Sequence, residues 1–370
     1  MTRVWDVPVH DSTRLRDARV AAESASALAG LDRARTDAAA LVATELATNL
    51  LKHAHGGQLL VEAVSAPGGR AGGLMVQIAA VDHGPGMSDV PAALGDGFST
   101  AGSLGAGLGT CRRLADDFDL HSVPGRGTVA LARIGGAGAS RGGPDAAGGR
   151  TGSGAAGADV ADAVDTPLGV RVGGVNVPFR GAEQSGDAWT CVRAGDLLTL
   201  MLADGLGHGP EAALASTAAV EEVRCSGHLP PAELLRRLDE ALRGTRGAAV
   251  AVAQLDPRAG RLRFCGVGNV GARLREGDSW RHLLSRPGIV GTHRPRTLPE
   301  TAVAWGPDRL LVLHSDGLPS RWAPPADPRL LSADPALTAA VTVRDAGSSA
   351  RPVRDDTAVA VLSPTPPDRS

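Results

Sequence analysis

Glu45 and Asn49 stand four residues apart in ARTDAAALVATELATNLLKHAH, and His53 continues the row. On a helix that spacing puts all three on one side. An amide oxygen can ligate magnesium and a carboxylate can act as a base, so the pair fits Mg2+–phosphate chemistry. A solvated helix face would use the same residues. Residues 81–110, VDHGPGMSDVPAALGDGFSTAGSLGAGLGT, hold a second group. It opens on Asp82, Gly84 and Gly86 and closes on a ladder of Gly102, Gly105, Gly107 and Gly109. Between these lie Phe98, Ser99 and Thr100. Glycine lets a backbone approach a ligand closely, and backbone N–H groups at a Gly-rich turn opening a helix suit phosphate. The reading is a nucleotide pocket with a lid, against a plain surface loop. The polar residues before the ladder disfavour a dinucleotide fingerprint, which needs a strand there.

A third group is acidic and lies in the second half. Asp187 follows Ser185-Gly186, and Asp204 precedes Gly205-Leu206-Gly207-His208-Gly209. Asp316 sits in His314-Ser315-Asp316-Gly317, and Asp355 and Asp356 precede a final apolar run. One aspartate at a strand end is ordinarily a turn residue. Four such places in one domain point to a divalent pocket, because carboxylate oxygens suit Mg2+ or Mn2+ and two ions can share an aspartate and activate a water.

The elements that must position these groups follow from periodicity. Residues 11–30 and 33–54 read as helices, the second with Ala39, Ala43, Leu46 and Leu50 on its buried face. Residues 58–64 and 74–81 read as strands, which puts Asp82 at a strand end. Residues 110–117 read as a helix, and Gly127-Thr128 opens a strand over 129–134. In the second half, apolar runs at 197–202, 248–255, 262–267, 310–313 and 358–362 have strand length, and 210–224 and 231–243 read as helices. This alternation predicts layered sheets flanked by helices.

The chain has 370 residues, which favours two domains. Residues 135–165 are Gly/Ala-rich with almost no large apolar side chain, so they predict a flexible linker across which the flanking domains need not touch. The domains are therefore expected at 1–134 and 166–363, with a tail at 364–370. Net charge is -2, without the basic footprint of nucleic-acid binding. No apolar run reaches the roughly 18 residues of a membrane span. The four cysteines show no zinc spacing, so a cytoplasmic location with reduced thiols is expected.

Four signals in order, Glu45-x3-Asn49, Asp82-x-Gly84-x-Gly86, the glycine ladder and Gly127-Thr128, resemble the GHKL ATPase/kinase superfamily. The wording ELATNLLKHA, DHGPGM and DGFSTAGSLGAGLG is most similar to its RsbT-like serine/threonine kinases of bacterial sigma-factor partner switching. The pattern SGD…LADGLGHGPEAA…GVGN…HSDG…RDDTAV resembles PP2C-type phosphatases of the SpoIIE/RsbX branch.

The resemblance implies an α+β chain: an N-terminal Bergerat α/β sandwich, then a PP2C-like α-β-β-α sandwich. It implies that Asp82 accepts the adenine amino hydrogen, with Thr128 supporting that edge and Gly84 and Gly86 lying against ATP. Asn49 would bind Mg2+, Glu45 would orient or deprotonate the attacking hydroxyl, and 99–109, including Ser99, Thr100, Gly105, Gly107 and Gly109, would close over the phosphates. It implies that Asp187, Asp204, the Gly205 carbonyl, Asp316 and Asp355 hold two Mn2+ or Mg2+ ions, with Asp356 behind them or in Asp355's place. Leu206 stands where eukaryotic members carry a histidine, which leaves the general acid open, with His208 close by. The implied partner is a STAS-type antagonist or stressosome-type protein. An RsbW-type anti-sigma kinase, with a sigma factor as partner, and a non-catalytic nucleotide-gated binding module are the alternatives for the first domain.

Overall fold

The computed structural model describes residues 3–65, 73–94, 107–136, 169–179, 182, 184–348 and 355–365. Ser99, Thr100 and Gly105, nearly all of the expected linker and the end of the tail lie outside the described residues.

The first domain runs β1 (Val4–Val9), α1 (Arg14–Ala29), α2 (Arg33–Ala54), β2 (Gly57–Ser65), β3 (Leu74–Val81), α3 (Val90–Ala93), α4 (Gly107–Leu114), β4 (Asp117–Val123) and β5 (Gly127–Ile134). Its antiparallel sheet has the order β1-β2-β3-β5-β4. Asp32 starts α2 by accepting the Arg35 N–H, and left-handed His55 ends it. The helix expected at 110–117 begins instead at Gly107 and stops at Leu114, and Asp117 opens a strand. Alternate strand residues, among them Leu59, Val61, Val76, Ile78, Ala130 and Ala132, pack against α1 and α2.

The second domain runs β6 (Val170–Val177), β7 (Asp187–Ala194), β8 (Leu197–Gly205), α5 (Pro210–Ser226), α6 (Pro231–Ala241), β9 (Ala248–Asp256), β10 (Arg261–Val267), β11 (Gly271–Glu276), β12 (Ser279–Leu283), β13 (Thr301–Ala304), β14 (Leu310–His314), α7 (Pro335–Ala346) and β15 (Thr357–Pro364). Two five-stranded sheets, β13-β10-β9-β8-β7 and β12-β11-β14-β15-β6, face each other over an aliphatic core that includes Leu200, Leu202, Ala251, Leu313 and Ala360. Helices α5 and α6 cover the outside of the first of these sheets, and α7 covers the second. The architecture is the expected α-β-β-α sandwich behind an α/β sandwich.

The domains, which the linker would allow to stay apart, are in contact. Leu60, Ala79, Val81, Val129 and Leu131, on the face of the N-terminal sheet away from α1 and α2, share one buried cluster with Ala336, Leu337, Ala340 and Val343 of α7. Both faces of that sheet are therefore covered, which explains strands such as MVQIAAV that lack polar alternation. A row of directly opposed polar residues crosses the same face, Glu62 against Gln77 and Gln77 against Arg133. The Gln77 amide donates to Glu62 Oε1 at 2.9 Å and to the Gly174 carbonyl at 3.0 Å, and Arg133 Nε donates to Gln77 Oε1 at 2.9 Å. Arg133 then grips Asp334, whose Oδ1 also accepts the Ala336 N–H at the start of α7. A composition without apolar residues in the connector said nothing about the faces it connects.

Candidate functional site

The N-terminal site is built where α2 meets the end of β3. The Asp82-to-Gly84 turn lies so close to α2 that a Cβ on Gly84 would stand 2.7 Å from Ala54 Cα. Asp82 is 8% exposed, and its Oδ1 accepts the N–H groups of Gly84 at 2.8 Å and Thr128 at 3.1 Å. Both of these backbone donors reach the same carboxylate oxygen. Burial raises the Asp82 pKa above the ordinary carboxylate value, while these two N–H groups and the Arg344 charge pull it back. Gly86 takes a φ of 69°, and a Cβ there would overlap the Val123 carbonyl oxygen, so no other residue fits.

Thr128 is oriented by Ser122, directly opposite it in the β4/β5 pair. Their hydroxyls are 2.9 Å apart, and Ser122 Oγ also accepts the Met87 N–H at 2.8 Å. Ser122 lies in β4, a strand in which the apolar alternation of Phe118 and Leu120 breaks off at Ser122. On α2, the Asn49 side-chain nitrogen is buried with no hydrogen-bond partner among the described residues. A Cβ on Gly107 would stand 3.3 Å from Asn49 Oδ1 and 3.7 Å from Glu45 Oε2, so the start of α4 lies over the Glu45/Asn49 face. Gly109, two residues further along, is buried. The structure thus gathers Glu45, Asn49, Gly107 and Gly109 at one end, and Asp82, Gly84, Gly86 and Thr128 at the other.

The second site lies at one end of the two facing sheets. Asp187 begins β7 directly opposite Asp204 near the end of β8. Asp316 follows β14, and Asp355 and Asp356 precede β15, so the other sheet contributes the remaining acids. Asp187 is 2% exposed, and Asp187 Oδ2 and Asp204 Oδ2 are buried without a hydrogen-bond partner among the described residues. Burial and then the Asp204 charge push the Asp187 carboxyl well above the ordinary value. Burial, Asp316 and Asp355 push Asp204 up to about 7. Like charges crowded into a buried place with unpartnered oxygens suit a divalent cation, although among the described residues no three acidic side chains stand close enough together to hold one as they are placed.

Asp355 and Asp356 differ in use. Asp356 Oδ1 accepts the Phe179 N–H and its Oδ2 the Gly186 N–H, each at 2.8 Å, so its carboxylate holds backbone. Asp355 is exposed, with Oδ1 on the Asp356 N–H, and it raises the pKa of Asp204. Gly205 donates its N–H to the Gly186 carbonyl at 3.0 Å, and a Cβ there would overlap the Ala212 carbonyl oxygen. The Asn269 amide donates to Asp316 Oδ2, and the Ser315 hydroxyl bonds to Asp187, lowering its pKa. Both residues stood within the quoted GVGN and HSDG motifs without a role. Leu206 and His208 are exposed beside this cluster.

Residues 9–133 match the family of the histidine kinase-like ATPase domain, and residues 194–364 match stage II sporulation protein E. The chain is 45% identical over 85 residues to the serine/threonine-protein kinase RsbT of Bacillus subtilis (strain 168), covering 23% of this chain and 61% of that one. The chain thus spans about three-fifths of the length of this curated relative. A solved structure described as the bacterial stressosome, a modular system adapted to control secondary messenger signaling, is 32% identical, covering 52% of this chain and 98% of its own, with a TM-score of 0.46. The PP2C phosphatase domain of SpoIIE from Bacillus subtilis, with a fragment of its regulatory domain, is 15% identical, covering 82% of this chain and 81% of its own, with a TM-score of 0.46.

Proposed function

For a chain that joins a histidine kinase-like ATPase domain to a SpoIIE domain, we propose a bifunctional partner-switching regulator acting in the cytoplasm. The first domain phosphorylates a serine or threonine of a STAS-type antagonist or stressosome-type protein with ATP. The second removes phosphate from a phosphoprotein of the same network. The observation that carries this reading is the acid cluster with two buried oxygens that have no partner among the described residues, on the same chain as an Asp82 turn with one carboxylate oxygen pinned by two backbone N–H groups.

In the first domain, Asp82 Oδ2 accepts the adenine amino hydrogen and Thr128 supports that edge. Gly84 and Gly86 let the backbone lie against the base. Glu45 orients or deprotonates the attacking hydroxyl, and Asn49 takes the magnesium that accompanies ATP. Gly107 and Gly109 present backbone to the phosphates, in a closing segment that also includes Ser99, Thr100 and Gly105. Phosphoryl transfer depends mainly on such positioning.

In the second domain, Asp187, Asp204, the Gly205 carbonyl, Asp316 and Asp355 hold two Mn2+ or Mg2+ ions. These ions, when bound, activate the attacking water and balance charge on the phosphate. Asn269 orients Asp316, Ser315 orients Asp187, and Asp356 fixes the Phe179 and Gly186 backbone that carries Asp187. Leu206 cannot give a proton, so the leaving alkoxide takes one from solvent or from exposed His208.

The test is a pull-down with the full chain from its native cytosol, followed by phosphosite mapping of the bound proteins. A STAS-type partner phosphorylated with ATP by the wild type and not by Glu45→Ala supports the kinase assignment. Capture of that partner without any ATP-dependent phosphorylation contradicts it.

A further inference from the structure

The last turn of α7, in the second domain, grips the adenine end of the first. Arg344 is 1% exposed, and its Nη1 donates to the Gly127 carbonyl at 3.3 Å. Its own carbonyl accepts from His83 Nε2 at 2.9 Å, so His83 carries its proton there. Arg344 Nε donates to Asp345 Oδ1 at 2.8 Å, and Asp345 Oδ2 pairs with Arg126 at 3.3 Å. His83, just after Asp82, and Arg126 and Gly127, just before Thr128, are thereby tied to one helix turn.

These are the residues that aim Asp82. Gly127 adopts a φ of 91° and packs so closely on Asp82 that a Cβ would overlap the Asp82 carbonyl oxygen. The next residue, Thr128, donates its N–H to Asp82 Oδ1, and the Thr128 carbonyl accepts the Asp82 N–H at 2.9 Å. A shift of the Gly127 carbonyl therefore moves the donor that decides which oxygen of Asp82 meets a base.

We infer that Arg344, from the second domain, is a positioning residue for adenine recognition by Asp82 and Thr128 in the first. The inference rests on the proposed nucleotide site. Binding free energies are reciprocal, so adenine nucleotide in the first domain also tightens the hold on α7. The two heads are linked by a side chain and not only by the connector.

The test is calorimetric titration of the full chain with ADP and with IDP, which lacks the amino group that Asp82 accepts. The proteins are wild type, Arg344→Ala, Arg344→Lys and Arg344→Met, the last keeping an apolar stem in place for folding. Wild type should prefer ADP by about 10-fold or more, the value of a charge-assisted hydrogen bond. Arg344→Ala and Arg344→Met should lose most of this preference, and Arg344→Lys should regain part of it. A merely structural role would weaken ADP and IDP alike and leave their ratio unchanged, which overturns the inference. Unchanged ADP affinity in Arg344→Met also overturns it. A wild type that binds no adenine nucleotide removes the nucleotide-site reading, and this inference with it.

Discussion

Arg133 and Asp334 form a two-pronged pair between the domains, with Nη1 to Oδ2 at 2.6 Å and Nη2 to Oδ1 at 2.8 Å. Arg133 lies on the outer face of the N-terminal sheet with its side chain 3% exposed, and Asp334 caps α7. Breaking one side of a buried pair leaves the other charge unpaired and costs about 3–5 kcal/mol. Asp334→Ala should lower thermal stability of the full chain by that order and release protection of the β5 amides in hydrogen exchange. Unchanged β5 protection would mean that the pair does not hold the domains together.

Glu62 should make the same interface pH-dependent. Burial pushes its carboxyl from 4.5 up to about 7, against the Gln77 hydrogen bond and the Arg133 charge. Below about pH 4.5 the folded and unfolded chains both hold the proton. Between that pH and 7 the unfolded chain releases it while the folded chain keeps it. The folded state therefore loses stability as pH rises through this window, on the order of 3 kcal/mol in all. Glu62→Gln keeps the acceptor for Gln77 and should flatten this dependence. Melting curves from pH 5 to 8 check it, and parallel wild-type and Glu62→Gln profiles would refute the assignment.

The positions of the candidate site residues were more legible than their surroundings. Asp82, Gly86, Asp187 and Asp204 declare themselves because strand ends and glycine turns restrict which residues fit. Helix α7 escaped the sequence analysis because Pro335 to Arg344 is buried throughout and shows no apolar stripe to count. Ser122 escaped because FDLHSV does not alternate as a strand facing water does. The domain contact was invisible for a related reason. Glu62, Gln77 and Arg133 are far apart in the sequence, and only register brings them side by side.

The acid cluster predicts a stability signature without any assay. Asp204→Asn removes a buried like charge, so it should raise the melting temperature of metal-free protein. It should also abolish the further rise that Mn2+ produces in wild type. Phosphatase activity should vanish on chelation and in Asp204→Ala. A metal-free wild type that melts above metal-free Asp204→Asn would contradict the crowded-charge account.

Asp82→Asn keeps the shape of the turn but puts an amide where an acceptor is needed. Loss of a charge-assisted hydrogen bond costs about 1.5–3 kcal/mol, roughly 10- to 150-fold in ATP affinity. Glu45→Ala should bind ATP as wild type does and transfer no phosphate. Transfer at the wild-type rate by Glu45→Ala would remove Glu45 from the chemistry.

Two opposed phosphate chemistries on one chain are tested most directly by phosphate occupancy of a STAS-domain protein, read by intact mass. Full-length wild type, Glu45→Ala and Asp204→Ala are each incubated with ATP, Mg2+ and Mn2+, and hydrolysis of a generic phosphoester is followed in parallel. Wild type and Asp204→Ala should phosphorylate the partner, Asp204→Ala should fail to hydrolyse the phosphoester, and Glu45→Ala should show the reverse. A single substitution that removes both activities without unfolding the chain, or a wild type that leaves the partner unphosphorylated, would contradict the account.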